Sequence, residues 1–247
     1  MNEYGVTTFS ILAAAGFLGA LAVIPYSLEM AAQSPLVSQT QSVSEIRMLP
    51  QLLQALVMAL FVSGIGLLAA KAVGLPIWSR TGVLPAAAIA GIAAAGILLG
   101  LELLVFLPRM PAELASADMN IALWKRFTAS FYGGITEELL MRLFIMSGLV
   151  WLLRFLWHTP EGTPATGVVW AAIIITAILF GLGHLPATKM ITALTPLIIT
   201  RAIILNGLVG ILCGWLFWKH GLIAAMTAHF SADIVLHVIT PLLTGRG

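Results

Sequence analysis

Residues 127–156 read FTASFYGGITEELLMRLFIMSGLVWLLRFL. This run of 30 residues is long enough to cross a hydrocarbon core of about 30 Å as a helix. Yet Glu137, Glu138 and Arg142 interrupt it near its middle. Six further apolar runs surround it, at about residues 7–24, 51–73, 83–107, 167–185, 194–218 and 221–241. The whole chain of 247 residues is 60% hydrophobic and 9% charged, with a mean hydropathy of +1.03. A soluble surface needs far more charge than that. Backbone groups in lipid must bond internally, and runs of this length point to helices rather than barrel strands. The expected fold is all-α, a polytopic transmembrane bundle of seven to eight helices around a polar cavity within the bilayer. An eighth, surface-lying helix is allowed by either polar connection, residues 25–50 or 108–126.

The N-terminal Met-Asn-Glu-Tyr-Gly carries an acid and no base, which makes the first run read as a retained helix rather than a signal peptide. No internal repeat or low-complexity tract divides the chain, so residues 1–247 are read as one membrane-embedded domain. The net charge of +2 and the absence of a basic run argue against nucleic acid. Cys213 is the single cysteine, so no internal disulfide forms. The basic residues divide too evenly between the two faces to set orientation.

Ionisable groups at membrane depth carry the functional information. Each costs roughly 2.5–3.5 kcal/mol near the bilayer centre, so it needs a partner or a wet cavity. Glu138 and Arg142 are four apart and share a helix face, which suits an ion pair. On a 3.6-residue helix, Glu137 is turned about 100° from Glu138 and about 140° from Arg142. The arginine can thus neutralise Glu138 and leave Glu137 free. Two carboxylates in different surroundings take different roles, with Glu137 suited to general-base work. A purely structural ion pair would explain Glu138 and Arg142 but not Glu137. His229 and Asp233 are also four apart, so Asp233 could orient His229 and fix its tautomer. His237, one turn further, reads as interfacial. Phe180 and His184 repeat the spacing in Phe-Gly-Leu-Gly-His, where small residues allow close helix approach.

Depth supports one shared site. Glu137 is about 15 Å into its helix, and His229 is about 12 Å into a helix entering from the opposite face. In a core of about 30 Å those levels nearly coincide. His184 falls near the end of its run and fits that level less well. Glu102 and Arg201 read as snorkelling residues, and Asn206 as an interhelical hydrogen bonder. Ser231 faces away from its histidine and aspartate neighbours.

Glu-Glu-x-x-x-Arg at 137–142, Phe-x-x-x-His at 180–184 and His-x-x-x-Asp at 229–233 fall in order on separate apolar helices. This pattern, over a core of about residues 120–240, resembles the CAAX-protease and bacteriocin-processing family of membrane proteins, which includes the type II CAAX prenyl endopeptidases. The resemblance implies a multi-pass integral membrane endopeptidase, of the inner membrane if bacterial. Its substrate would be a membrane-associated protein or peptide. Glu137 and His184 would activate a water, His229 and the residue at 233 would stabilise the oxyanion, and Glu138 and Arg142 would support the site. The family's prenyl endopeptidases often carry asparagine where this chain has Asp233, and an ionised aspartate cannot donate to an oxyanion. No His-Glu-x-x-His occurs, so neither metal nor other cofactor is expected. Glu137, His184, His229 and Asp233 are all possible zinc ligands, which keeps a zinc-dependent variant of the protease open. Two non-proteolytic functions compete with these, a non-catalytic immunity or scaffold protein and a proton-coupled carrier.

Overall fold

The computed structural model describes residues 3–33, 52–53, 55–110 and 121–244. Six helices there are long and apolar enough to cross a membrane. They are α1 (Val6–Ala32), α2 (Ala55–Val73), α3 (Thr81–Arg109), α5 (Thr166–Lys189), α6 (Pro196–His220) and α7 (Leu222–Thr244). The seventh, α4, runs continuously over residues 123–153 and carries Glu137, Glu138 and Arg142. There is no β-strand among the described residues, and the molecule is an all-α bundle in a multi-pass integral membrane protein. Of the two connections that allow an eighth helix, 25–50 and 108–126, residues 34–50 and 111–120 lie outside the described residues.

Helix ends depart from the apolar runs where proline is involved. α1 continues past the expected end at residue 24 because Pro25 occupies the first turn of a new helical segment, Ile24–Ala32, after a break at Val23. There the missing N–H leaves no bond unmade. α5 likewise breaks at His184 and resumes as Leu185–Lys189, with Pro186 in its first turn. Thr195 caps α6 by accepting from the Ile198 N–H at 3.3 Å. α6 passes to α7 through Gly221 alone, at φ 97°, a left-handed conformation that L side chains avoid. Leu222 N–H then bonds Ile77 O at 3.0 Å and Ala224 N–H bonds Ser79 Oγ at 2.8 Å, which satisfies that turn.

The bundle packs α6 on α5 and α7, α7 also on α3, and α4 on α1, α2 and α7. Gly91 lets α3 approach so closely that a Cβ there would overlap the Ala228 carbonyl, one residue before His229. Leu139, Leu143, Met146, Ile173 and Phe217 fill the interior with no more than trace exposure. Helices alternate in direction through the bundle. Trp78, Trp151, Trp157, Trp170, Trp215 and Trp218 therefore all lie towards the face where α1 begins, as an interfacial aromatic belt.

Candidate active site

α4 loosens at its centre. Tyr132–Glu137 and Leu139–Met146 follow the wider i→i+5 backbone pattern. Ser147 Oγ donates to the Arg142 carbonyl, five positions back, at 3.2 Å. Such π-helical turns concentrate at functional sites because they re-aim side chains within a continuous helix. Here they surround Glu137, Glu138 and Arg142.

Glu138 and Arg142 are both fully buried and pair at 3.2 Å between Nε and Oε2. Arg142 Nη2 also donates to the Gly210 carbonyl of α6 at 3.3 Å, and its guanidinium lies 5.4 Å from the centroid of the Phe180 ring. The other oxygen of Glu138 reaches across to α7, where His229 Nδ1 donates to Oε1 at 2.7 Å. The hydrogen bond of His229 thus goes to Glu138 and not to Asp233. Asp233 Oδ1 is 3.8 Å from His229 Nε2, the opposite ring nitrogen. One turn of α7 puts the aspartate beside Nε2, whereas Glu138 of α4 meets the ring at Nδ1.

His229 Nε2 is also 3.8 Å from Glu137 Oε2. Two carboxylates from two helices thus flank one imidazole nitrogen at a separation that leaves no direct hydrogen bond. Gly133 makes room for this grouping, since a Cβ there would overlap Asp233 Oδ2. His237 Nε2 is 3.8 Å from Asp233 Oδ1, with a side chain 52% exposed, in keeping with an interfacial place.

His184 joins the group through the break in α5. Its Nδ1 donates to Phe180 O at 2.8 Å, which leaves Nε2 with the lone pair in the neutral ring. Phe180 stacks edge-on against both imidazoles, at 4.8 Å from His184 and 5.5 Å from His229. His184 lines the same cavity as Glu137 and His229, which its place at the end of an apolar run made hard to foresee.

Glu137, His184, His229, Asp233 and His237 all line one cavity of about 810 Å³. Its other walls include Tyr26, Tyr132, Glu102 and Arg201. The lining comes from the C-terminal halves of α1, α3 and α5, the N-terminal halves of α4 and α6, Ala55 at the start of α2, and α7 from His229 to His237. In an alternating bundle these belong to one leaflet, so the cavity occupies the half of the membrane opposite the tryptophan belt.

Three wall residues differ from their sequence reading. Glu102 and Arg201 pair with each other at 2.7 Å rather than snorkelling apart. Opposite charges on two apolar helices were the available signal. Asn206 bonds Ala202 O in its own helix at 2.8 Å, not a neighbouring helix. Ser231 bonds Thr227 O at 2.8 Å and does not line the cavity.

Glu138, Cys213 and His229 are the described residues whose ligand atoms lie close enough together to hold a metal ion, within 4.8 Å of one another. Their chemistry is a poor fit, because Nδ1 of His229 and both oxygens of Glu138 are already engaged with each other and with Arg142.

Comparison with known proteins adds one match. Residues 119–235 fit the family model described as Type II CAAX prenyl endopeptidase Rce1-like. Among curated proteins and among solved structures nothing matches the chain. Over residues 119–235, which hold both glutamates, Arg142, Phe180, His184, His229 and Asp233, the chain is similar to the Rce1-like type II CAAX prenyl endopeptidases, a likeness that supports a membrane protease, and the chain is a multi-pass integral membrane protein.

Proposed function

We propose that this single membrane-embedded domain is a glutamate-dependent endopeptidase that hydrolyses a peptide bond of a membrane-associated protein or peptide. The observation that carries this reading is the Glu137 carboxylate beside His229 Nε2, at 3.8 Å, on the wall of a cavity that His184 also lines. At that separation the two groups make no direct hydrogen bond, and a water or substrate oxygen lying beside the pair can reach both.

In this reading a water held by Glu137 and His184 Nε2 attacks the carbonyl carbon, and Glu137 takes its proton. The carbonyl oxygen becomes an oxyanion that accepts from Nε2 of protonated His229. Glu138, paired with Arg142, supports that imidazolium through Nδ1 and fixes the ring. Glu137 then returns the proton to the departing amine as the C–N bond breaks. Asp233 flanks Nε2 and supports the protonated ring. In ionised form it offers the oxyanion no donor.

Cleavage of a membrane-anchored peptide by the reconstituted protein tests the proposal. His184→Ala is expected to lower kcat by about 10²–10⁴-fold, the usual contribution of a positioned acid–base group, with an unchanged elution profile. Incubation with a strong divalent-metal chelator is expected to leave the wild-type rate within about twofold, since no step of this mechanism uses a Lewis acid. Full activity of His184→Ala would contradict the assignment. Loss of activity on chelation, restored by zinc, would favour a metal-dependent protease.

A further inference from the structure

The cavity holds a second charged group that the proposed chemistry does not use. Arg201 of α6 donates through Nε to Glu102 Oε2 of α3 at 2.7 Å. The side chains are 32% and 23% exposed, and both line the same cavity as Glu137. Among the described residues, the two Nη nitrogens of Arg201 meet no acceptor. Leu98, Leu99, Ile198 and Ala202, neighbours of the pair along α3 and α6, line the same cavity. Unspent guanidinium donors in such a wall call for an acceptor from outside the fold.

We propose that Arg201, positioned by Glu102, is the anchor for a carboxylate of the peptide substrate. Glu102 occupies the Nε edge and keeps the fork from swinging into solvent. The Nη1–Nη2 end remains, and its two parallel donors match a carboxylate bidentately. A pair serving only to join α3 and α6 would have no use for that open end.

Distance along α6 gives the anchor a register. Gly210, whose carbonyl meets Arg142, lies nine positions beyond Arg201, or about 13 Å at 1.5 Å per residue. Glu137 lies five positions before Arg142 on α4, about 7 Å nearer the Arg201 end, so roughly two residues of extended peptide span the distance from Arg201 to its level. A carboxylate held at Arg201 thus sets which bond of the chain reaches Glu137. The class of ligand, a peptide, rests on the endopeptidase reading, whereas the anion preference rests on Arg201 alone.

The test uses full-length protein carrying Glu137→Gln, reconstituted in nanodiscs so that peptide binds without turnover. Three dansylated N-lauroyl hexapeptides of otherwise apolar sequence serve as probes. One ends in a free carboxylate, one in an amide, and one in an amide after a final glutamate. A carboxylate probe is expected to bind at least about tenfold tighter than the plain amide, a modest return for a charge-assisted bidentate pair. Preference for the free acid alone identifies a C-terminal carboxylate, and preference for the glutamyl amide identifies a side chain. Adding Glu102→Gln with Arg201→Gln, which removes both charges and leaves no lone buried ion, is expected to shrink the preference below about twofold. Equal binding of all three probes, a preference that survives the added pair, or no binding of any probe overturns the proposal. Wild-type cleavage of the same probes is read separately. The carboxylate preference without cleavage upholds the anchor and overturns the endopeptidase reading instead.

Discussion

Glu137→Gln is expected to lower cleavage by about 10²–10⁴-fold while leaving folding and membrane insertion intact. The substitution keeps shape and polarity and removes only the proton-accepting charge. Glu137 forms no direct hydrogen bond to His229 at 3.8 Å, so its loss breaks no structural link. Its side chain is 21% exposed to the cavity, so an amide there stays solvated. The effect should fall on kcat rather than KM, because the carboxylate acts on the water and not on ground-state binding. A Glu137→Gln variant with near-wild-type kcat would remove the general base from the mechanism.

Arg142→Ala is expected to destabilise the folded protein by about 3–5 kcal/mol, the usual cost of stripping a buried charge of its partner. Glu138 is fully buried and would keep only the His229 contact at 2.7 Å. The Gly210 carbonyl would also lose its side-chain donor, and Phe180 its cation. Thermal unfolding in detergent checks this. Arg142→Met combined with Glu138→Gln removes both charges together, so it should recover much of the loss. The double variant should still be inactive, because an amide at 138 no longer steadies a protonated His229. An unchanged melting temperature in Arg142→Ala would show that the buried pair adds little to the fold.

Local spacing and depth were what the sequence could express. Among the described residues each of the seven apolar runs forms a helix, and four-residue spacing put Glu138 against Arg142. Counting residues from helix starts brought Glu137 and His229 to one level, and they stand 3.8 Å apart. Contacts between helices were out of reach. The Glu138–His229 bond joins positions 91 apart and the Glu102–Arg201 bond positions 99 apart. Nothing in their spacing says which faces meet. His184 shows a third limit. It stands at a helix break, so the end of an apolar run concealed a residue inside the cavity. Gly133 gave no signal at all, since its role is to leave room for Asp233 on another helix.

Thiol accessibility tests most directly whether α4, α5 and α7 bring their polar groups to one wet cavity open to a single leaflet. Cysteine is placed singly at positions 137, 184 and 233 in a Cys213→Ser background, in sealed proteoliposomes of uniform orientation, and a membrane-impermeant maleimide is added to one side at a time. All three positions should label from the same side, the one opposite the tryptophan-rich face, and a cysteine at Ala224, buried towards that other face, should not label from either. Labelling of 137 and 233 from opposite sides, or no labelling of any of the three, would contradict the shared cavity and the hydrolase built upon it.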